Sequence, residues 1–318
     1  MRMFRPGPFL AVVVAVTLAL GASPAFAQAP ASGPLVLRLP PSARTAALGG
    51  AWVAGRDIDV LFYNPAQIVN ARPGFDLSIT QEGPASHMGS IGSVYAAGKW
   101  SLTLAWGVQY VTFRADGGAT YPYPPDVVLA DGSANASSVL ITVGGAIVYK
   151  GFRIGAAGKY AADSLTAVAG PLSATPVNPH AVLADLGVGR NLFGGVAALS
   201  VQNLGGGSTD DGASFPVPKQ LLAGWSTTRS AGPLDLGVYT QIGVRDGWTA
   251  PAGGLEVGYS WIEGYNVALR VGARRPETDA QTPFAFGAAF TMDRLTVEYG
   301  VQLFDGGRAA NGVTVRWR

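Results

Sequence analysis

Few side chains in this sequence could carry out covalent chemistry. The chain has two histidines, His87 and His180, and no cysteine. Neither histidine has carboxylate partners at metal-ligand spacing, so we expect no metal site and no bound cofactor. His180 and Asp185 could belong to a hydrolase triad, but no serine can be assigned as their partner. We therefore expect no catalytic residues and a protein that is not an enzyme.

The charged side chains follow a more informative pattern. Nine of them fall inside segments that alternate between large apolar residues and small or polar ones, always on the small or polar side. They are Arg153, Lys159, Asp185, Asp235, Glu256, Arg270, Arg274, Glu298 and Arg316. A charge that faces lipid is costly, so the alternation assigns these side chains to a polar interior.

Opposite charges also recur on neighbouring segments of this kind. Three cross-strand ion pairs are expected, namely Lys159 with Asp185, Glu256 with Arg270, and Glu298 with Arg316. Such pairs could fix the register of the strands and fill an interior, or they could line a permeation path. The residue pattern leaves both roles open.

The segment from Trp100 to Tyr110 shows the alternation most clearly. Its even positions are all large and apolar, whereas its odd positions are Ser, Thr, Ala, Gly and Gln. This two-residue period predicts a β-strand with one face in lipid. Ten residues at a rise of ~3.3 Å and a tilt of ~40° cover roughly 25 Å, the height of the apolar band of an outer-membrane barrel.

The pattern recurs from residue 73 to the C-terminus, in a chain that is 48% apolar, 13% charged and contains 44 glycines. Glycine at that frequency disfavours a mostly helical protein, and beyond the N-terminus no run approaches the ~20 apolar residues of a spanning helix. We predict an all-β fold, a transmembrane antiparallel barrel of about 14 strands with alternating short turns and longer loops. The predicted strands are 73–82, 89–97, 99–112, 138–150, 151–162, 178–189, 192–202, 217–229, 232–244, 251–261, 264–275, 282–292, 294–304 and 310–318.

A secreted β-sandwich or propeller is the alternative architecture. In those folds the apolar face of each strand lies in a core and the exposed face usually carries charges. The apolar faces of the present strands, for example Val143 and Val257 with their alternate neighbours, contain no ionisable group except tyrosine. This composition favours the barrel.

Residues 1–27 have the features of a secretory signal peptide. Arg2 and Arg5 precede the apolar run 9–20, and Ala25-Phe26-Ala27 forms an A-x-A cleavage site. Removing its two arginines from the 22 basic residues leaves 20, equal to the 20 acidic residues. A neutral protein lacks the basic surface that binds nucleic acid. We expect export through a cleavable signal peptide to the outer membrane, whose lipid would be the protein's main partner.

Residues 28–72, between the signal peptide and the first predicted strand, do not alternate. Asn64 followed by Pro65 predicts a helix start, because asparagine caps helices and proline suits the first helical position. A short helix over 65–69 follows from this. The segment could lie inside the barrel as a plug or rest at its periplasmic rim.

This segment resembles the FadL-like outer-membrane family, in particular its PorV/PorQ branch. The matching stretches are 44–51 (RTAALGGA) and 61–66 (LFYNPA), with an aspartate between them. The resemblance implies a fourteen-stranded barrel over 73–318 and an N-terminal segment, 28–72, that folds into the lumen as a hatch. The hatch motif would then comprise Arg44, Gly49, Gly50, Asp59, Asn64, Pro65 and Ala66.

The resemblance implies two different functions. FadL-type proteins pass long-chain fatty acids or other hydrophobic compounds, so the first hypothesis is passage or binding of hydrophobic or small solutes, with a ligand such as a fatty acid. PorV-type proteins shuttle secreted cargo, so the alternative is a type IX secretion accessory that binds secreted proteins. A third, structural hypothesis is a closed barrel whose interior ion pairs serve stability alone.

Overall fold

The computed structural model describes residues 34–81, 86–97, 102–115, 134–166, 178, 180–206, 208–210, 213–215, 217–277 and 281–318. The proposed signal peptide and the first residues of the segment 28–72 lie outside this range. The strands are β1 (Gly74–Gln81), β2 (Ser86–Ala97), β3 (Leu102–Ala115), β4 (Ala134–Tyr149), β5 (Phe152–Thr166), β6 (His180–Leu192), β7 (Gly195–Gly205), β8 (Ser208–Asp210), β9 (Ala213–Phe215), β10 (Gln220–Ala231), β11 (Leu234–Arg245), β12 (Trp248–Ile262), β13 (Tyr265–Arg274), β14 (Gln281–Met292), β15 (Leu295–Phe304) and β16 (Ala309–Trp317).

Fourteen of these strands form one closed antiparallel barrel in which β1 pairs with β16. The predicted fold and strand number are therefore confirmed, with strand ends that differ from the predicted ones by a few residues. The short strands β8 and β9 form a separate two-stranded ribbon in the connection between β7 and β10, where the sequence predicts a plain loop. No helix in the described residues is long and apolar enough to cross a bilayer.

The two faces of the barrel wall differ as the alternation predicts. On β3, Leu104 and Trp106 are 44% and 45% exposed, whereas Ala105 and Gln109 are 3% and 1% exposed. Large apolar side chains on the outer face recur on the other barrel strands. The inner face carries the small and polar residues because successive side chains of a strand point to opposite sides.

The two ends of the barrel have different connections. At what we call the tight-turn end, β4 and β5 join through residues 150–151, β6 and β7 through 193–194, and β12 and β13 through 263–264. Lys150 and Gly151 both have positive φ, which matches the two-residue hairpin turn that suits twisted strands. The opposite end, the long-loop end, holds the longer connections, although β11 and β12 also join there through the tight turn 246–247.

The N-terminal segment occupies the lumen. We call residues 34–72 the hatch; it contains helix α1 (Ala43–Ala47) and 3₁₀ helices over Leu35–Leu37, Ile58–Phe62 and Pro65–Asn70. Helix α1 contacts β13 to β16, whereas the last 3₁₀ helix contacts β4 to β6 on the other side of the barrel. Contacts with opposite walls place the hatch inside the barrel, not at its rim.

The hatch and the inner wall fit closely. Trp52, Leu61 and Ile68 are fully buried and form one cluster with inward alanines of the wall. Small inward residues make this approach possible, since a Cβ added to Gly155 would lie 2.5 Å from the backbone nitrogen of Ala66. The inward glycines therefore leave space that the hatch fills.

Candidate functional site

The motif arginine of the hatch sits at the centre of a buried charge network. Arg44, on helix α1, pairs with Asp57 of the hatch and with two carboxylates of the wall, Glu256 and Glu298, each at 3.3 Å. Burial lowers the pKa of Arg44, and the nearby positive charge of Arg270 acts in the same direction. The surrounding carboxylates compensate the buried guanidinium, so the network attaches the hatch to the wall.

The wall contributes to this network from four strands. Arg270 Nε lies 2.5 Å from Glu256, and its Nη2 lies 3.0 Å from Glu298. Arg316 completes the row at 3.2 Å from Glu298. Two of the three expected ion pairs are therefore present, and Glu298 joins them into one chain of charges across β12, β13, β15 and β16.

Asp59, the aspartate of the hatch motif, connects two parts of the hatch by hydrogen bonds and forms an ion pair with the wall. One carboxylate oxygen accepts a hydrogen bond from Trp52 Nε1 at 2.8 Å, and the other accepts one from the Ser42 hydroxyl. Arg316 of the wall lies 3.6 Å from the same carboxylate. The aspartate thus holds Trp52 and the start of helix α1 in a fixed arrangement.

The Asn-Pro-Ala part of the motif forms the predicted cap. Asn64 Oδ1 accepts from the backbone N–H of Ala66 at 3.0 Å, and Pro65 occupies the first turn of a 3₁₀ helix. The Asn64 amide also donates to the Leu199 carbonyl of β7 at 3.2 Å. Gly49 and Gly50, with φ of +65° and +79°, reverse the chain after helix α1, which explains the glycine pair.

The third expected ion pair lies on the other side of the lumen. Lys159 and Asp185 are buried 2.6 Å apart, and Asp185 also accepts from the backbone N–H of Asn203 at 2.8 Å. Asn203 has φ of +58° where the register of β6 and β7 shifts. Beside this irregularity, Gln202 donates to the carbonyls of hatch residues 62 and 63 at 2.8 and 2.9 Å.

Three predicted interior charges lie outside the two networks. Arg153 and Asp235 are partly exposed near the tight-turn end, where Arg153 donates to Asn191 and Asp235 accepts from Ser230 at 2.5 Å. Arg274, near the long-loop end, donates to Gln302 at 2.5 Å. Arg274 also borders a cavity of the lumen on the long-loop side of the hatch.

That cavity, which we call the long-loop cavity, has a volume of about 100 Å³. Hatch residues Leu37, Leu39, Phe62 and others cover one side of it. The wall contributes apolar and polar side chains together, which are Gln109, Leu140, Lys159, Gln202, Gln220, Leu222, Gln241, Arg245, Trp248, Ala250, Pro251, Ala252, Arg274, Arg275 and Glu277. Such a mixed lining is typical of a site that orients a ligand as well as burying it.

Several side chains that line the long-loop cavity carry buried N–H groups that have no hydrogen-bond partner within the described residues. These groups include Trp248 Nε1, Gln109 Nε2 and the Nε atoms of Arg38, Arg245 and Arg275. Arg245 and Arg275 lie over the Trp248 ring, each with its guanidinium carbon 5.4 Å from the ring centroid. All of these groups are donors, so the cavity is suited to a ligand that supplies an acceptor.

One carboxylate balances these arginines. Glu277 lies 2.5 Å from Arg38 and 3.3 Å from Arg245. Burial alone would raise its pKa, but the charges of Arg38, Arg245 and Arg274 outweigh this effect and lower the pKa to about 2. Arg245 is not among the predicted interior charges, because it lies one residue beyond the predicted strand 232–244, although it has the same strand parity as Asp235.

A second space, the tight-turn cleft, lies on the other side of the hatch. Its volume is about 510 Å³, and its lining includes Arg56 and Asn70 of the hatch, Asn191, Thr228 and Tyr239. The hatch backbone crosses from the long-loop cavity to the tight-turn cleft over residues 51–53. The two spaces are thus neighbours along one wall of the lumen.

Two aromatic rings separate the two spaces. Trp52 is fully buried, and its ring centroid lies 5.3 Å from that of Tyr239, which borders the cleft. Two residues along β11, Gln241 borders the cavity and accepts from the backbone N–H groups of Trp52 and Val53 at 3.1 and 2.8 Å. We call Trp52 and Tyr239 the aromatic barrier.

Comparison with known proteins defines the class of fold. No family model matches the chain, and no curated protein shows significant sequence similarity to it. The toluene transporter TbuX of Ralstonia pickettii has a similar structure, with a TM-score of 0.56 and 11% identity over 87% of this chain and 98% of that one. The toluene transporter TodX of P. putida gives 0.56 and 10% over 87% and 97%. A FadL homologue of Pseudomonas aeruginosa gives 0.53 and 13% over 86% and 96%.

These similarities show that the chain has the fold of the FadL-type barrels, at identities that establish the fold alone. The PorV/PorQ branch implied by the hatch motif, and its role in secretion, gain no support from these structures. Within the described residues, no three potential metal ligands come together.

Proposed function

We propose that this chain is an outer-membrane barrel that passes hydrophobic compounds with a polar head group, such as fatty acids. Export by the signal peptide and the apolar outer face of the barrel support the location. Short turns face the periplasm in outer-membrane barrels, so the tight-turn end is the periplasmic end. The set of unpartnered N–H groups at the long-loop cavity is the observation that carries the proposal.

The chemistry of the cavity favours an amphipathic ligand over a pure hydrocarbon. A carboxylate placed beside Trp248 and Arg245 would accept hydrogen bonds that the described residues leave unmade. A ligand without an acceptor would displace water and leave these donors buried without partners, which costs about 1–3 kcal/mol for each group. The apolar part of the ligand would contact Leu37, Leu39 and Leu222.

The volume of the cavity limits what it can hold at one time. At about 100 Å³ it is smaller than the ~150 Å³ cavity that admits benzene in a protein core. It therefore accommodates a head group and the first carbons of a chain, while the remaining chain extends toward the long-loop end. Passage needs no covalent step.

The geometry also supports a route. The long-loop cavity and the tight-turn cleft approach each other on either side of the aromatic barrier, Trp52 and Tyr239. A ligand released from the cavity would reach the cleft after a displacement of these two rings. The remainder of the hatch is held to the wall by the Arg44 network and stays in place in this scheme.

A ligand series tests the proposal without altering the protein. The purified mature chain is titrated with oleate, methyl oleate and the alkane of the same length. Hydrogen bonds to a charged group contribute about 1.5–3 kcal/mol, so oleate should bind roughly 10 to 100 times more tightly than the alkane. Equal affinity for all three, or no binding of any, would contradict the proposed ligand class.

The same titration on a matched variant checks that the cavity is responsible. Arg308→Gln removes an exposed arginine of the connection between β15 and β16, and should leave oleate binding unchanged. Arg245→Gln removes a buried arginine of the cavity and should weaken oleate binding while leaving the alkane unaffected. The shift in gel mobility between unboiled and boiled samples verifies that each variant has folded.

A further inference from the structure

The outer surface of the barrel carries basic side chains on one part of its tight-turn rim. Lys150 lies in the turn between β4 and β5, Arg190 near the end of β6, and Arg229 near the end of β10. Arg190 is paired in register with Phe152 and Arg229 with Leu236, both exposed residues of the outer face. Register therefore places both arginines on the outside of the wall, next to the apolar band.

Neighbouring groups hold these cationic side chains at the rim. The Arg190 guanidinium lies 4.6 Å above the Phe152 ring, and Lys150 Nζ lies 5.2 Å from the Tyr149 ring. Arg229 Nη2 donates to the Gly194 carbonyl at 3.1 Å, which ties it to the turn between β6 and β7. The aromatic rings contribute a cation–π attraction and fix the charges at the depth where the apolar band ends.

The turn between these arginines exposes a large apolar side chain. Phe193 is 92% exposed and has φ of +53°, a conformation that non-glycine residues rarely adopt. Its ring borders the mouth of the tight-turn cleft but gains almost no burial within the protein. Full exposure of a phenylalanine is explained if the bilayer interface covers it. We call Lys150, Phe152, Arg190, Phe193 and Arg229 the basic rim patch.

Within the part of the chain that the structure describes, no carboxylate forms an ion pair with this patch. Among the ion pairs of the described residues, none involves Lys150, Arg190 or Arg229. The strands β5, β6, β7 and β10 are consecutive neighbours in the barrel, so the patch covers an arc of roughly 15 Å at the usual strand spacing. Three unpaired cations thus lie on one continuous stretch of the rim.

The opposite part of the rim is different. There Trp261 stacks on Tyr259 and Phe290, and the nearby turns carry Glu263, Asp293 and Arg294. This side has the aromatic residues of a membrane interface and the acids Glu263 and Asp293, and its arginines Arg72, Arg294 and Arg318 border one space together with Asp293. An aromatic girdle alone therefore does not require the positive charge found at the basic rim patch.

We propose that the basic rim patch binds the head groups of anionic phospholipids in the inner leaflet of the outer membrane. The phosphodiester of such a lipid would lie between Arg190 and Arg229, with Lys150 at the edge and the acyl chains along the outer face beside Phe152. The inference requires the proposed membrane location but not the proposed ligand or route.

Lipid retention by the intact mature barrel tests this proposal. The protein is exchanged into mixed micelles with equal amounts of phosphatidylglycerol and phosphatidylcholine, and bound lipid is counted by native mass spectrometry. We expect phosphatidylglycerol to predominate in the wild type and the preference to decrease as salt is raised. In the triple variant Lys150→Gln, Arg190→Gln, Arg229→Gln the preference should fall at least about tenfold, since each cation near a membrane surface contributes about fivefold.

A matched variant tests whether the lipid preference depends on the basic rim patch or on any basic residue of the rim. Arg294→Gln removes an exposed rim arginine outside the patch and should leave the lipid preference unchanged. Equal retention of both lipids by the wild type would overturn the proposal, as would an unchanged preference in the triple variant. If the triple variant fails the gel-mobility test for a folded barrel, the single variant Arg190→Gln and the salt dependence of the wild type decide the matter. A barrel that folds in membranes but shows no lipid preference leaves the proposed function intact.

Discussion

The long-loop cavity and the tight-turn cleft are neighbours in one lumen, yet they differ in almost every physical property. The cavity measures about 100 Å³ and is lined by Trp248 and buried arginines, which carry several N–H groups without a hydrogen-bond partner in the described residues. The cleft measures about 510 Å³, and its lining combines hydroxyl and amide side chains and one hatch arginine with the apolar residues Leu192, Phe193 and Val196. In the function that we propose, the cavity would hold a ligand and the cleft would release it.

The largest effect is expected from a variant that detaches the hatch, which divides the two spaces. Glu298 is fully buried and contacts Arg44, Arg270 and Arg316. Glu298→Ala leaves these guanidiniums short of a negative charge, so we expect a loss of about 3–5 kcal/mol in stability. The transition from the folded to the unfolded gel mobility, followed against temperature, measures it.

The matched control is Asp235→Ala, at a partly exposed position of the tight-turn end. A surface change of this kind should alter stability by no more than about 0.5 kcal/mol. Equal losses in the two variants would show that the network does not anchor the hatch.

Acid should lower the stability of the protein through Glu277, which borders the long-loop cavity. Its pKa falls from an ordinary value of 4.5 to about 2 in the folded protein, so its charge stabilises the fold above pH 4.5 and this stabilisation is lost as the pH falls toward 2. The shift corresponds to about 3 kcal/mol at most. Glu277→Gln should lose that stability at neutral pH and show a smaller decrease than the wild type between pH 4.5 and 2. Parallel stability curves for the two proteins would refute the assignment.

A larger side chain on the inner face of the wall should push against the hatch and displace it. A Cβ on Gly155 would meet the Ala66 backbone, whereas one on Gly158 of the same strand would meet nothing within 4 Å. Gly155→Val should therefore destabilise the barrel by about 1–3 kcal/mol through overpacking, and Gly158→Val should not. Ion conductance in planar bilayers provides a second measurement, since a displaced hatch should raise it in Gly155→Val alone.

The smallest expected effect concerns a single donor in the cavity. Trp248→Phe retains an aromatic ring beside Arg245 and Arg275 and removes the unpartnered indole N–H. Oleate binding should weaken about tenfold, the value of one hydrogen bond of about 1.5 kcal/mol to a charged group, while binding of the alkane of the same length should remain the same. Isothermal titration with both ligands measures the difference, and an equal change for both would point to altered shape and not to the lost donor.

The barrel wall could be predicted from the sequence because its signals are local. Alternation placed Leu104 outside and Ala105 inside, and adjacent strands brought Glu256 opposite Arg270 in register. The cap at Asn64 is equally local, since it involves residues two positions apart. Each of these features follows from the residue spacing of one strand, hairpin or turn.

The division of the lumen could not be predicted in the same way. Trp52 meets Tyr239 and Gln241 across nearly two hundred residues of sequence, and no periodic pattern relates a hatch residue to a wall strand. The motif resemblance placed the hatch in the lumen but did not indicate which wall each hatch residue contacts. The cavity depends on such long-range contacts, so its donors were recognisable only in the folded chain.

The central claim is that a ligand moves from the cavity to the cleft past the aromatic barrier. Uptake of labelled oleate tests it, in Gram-negative cells that lack their own outer-membrane fatty-acid channel and express this chain or its Tyr239 variants. Tyr239→Ala removes one ring of the barrier, whereas Tyr239→Phe keeps the ring and removes only the hydroxyl near Glu256. We predict faster oleate uptake for Tyr239→Ala and an unchanged rate for Tyr239→Phe at equal amounts of folded barrel. An unchanged or slower rate for Tyr239→Ala would contradict the proposed route.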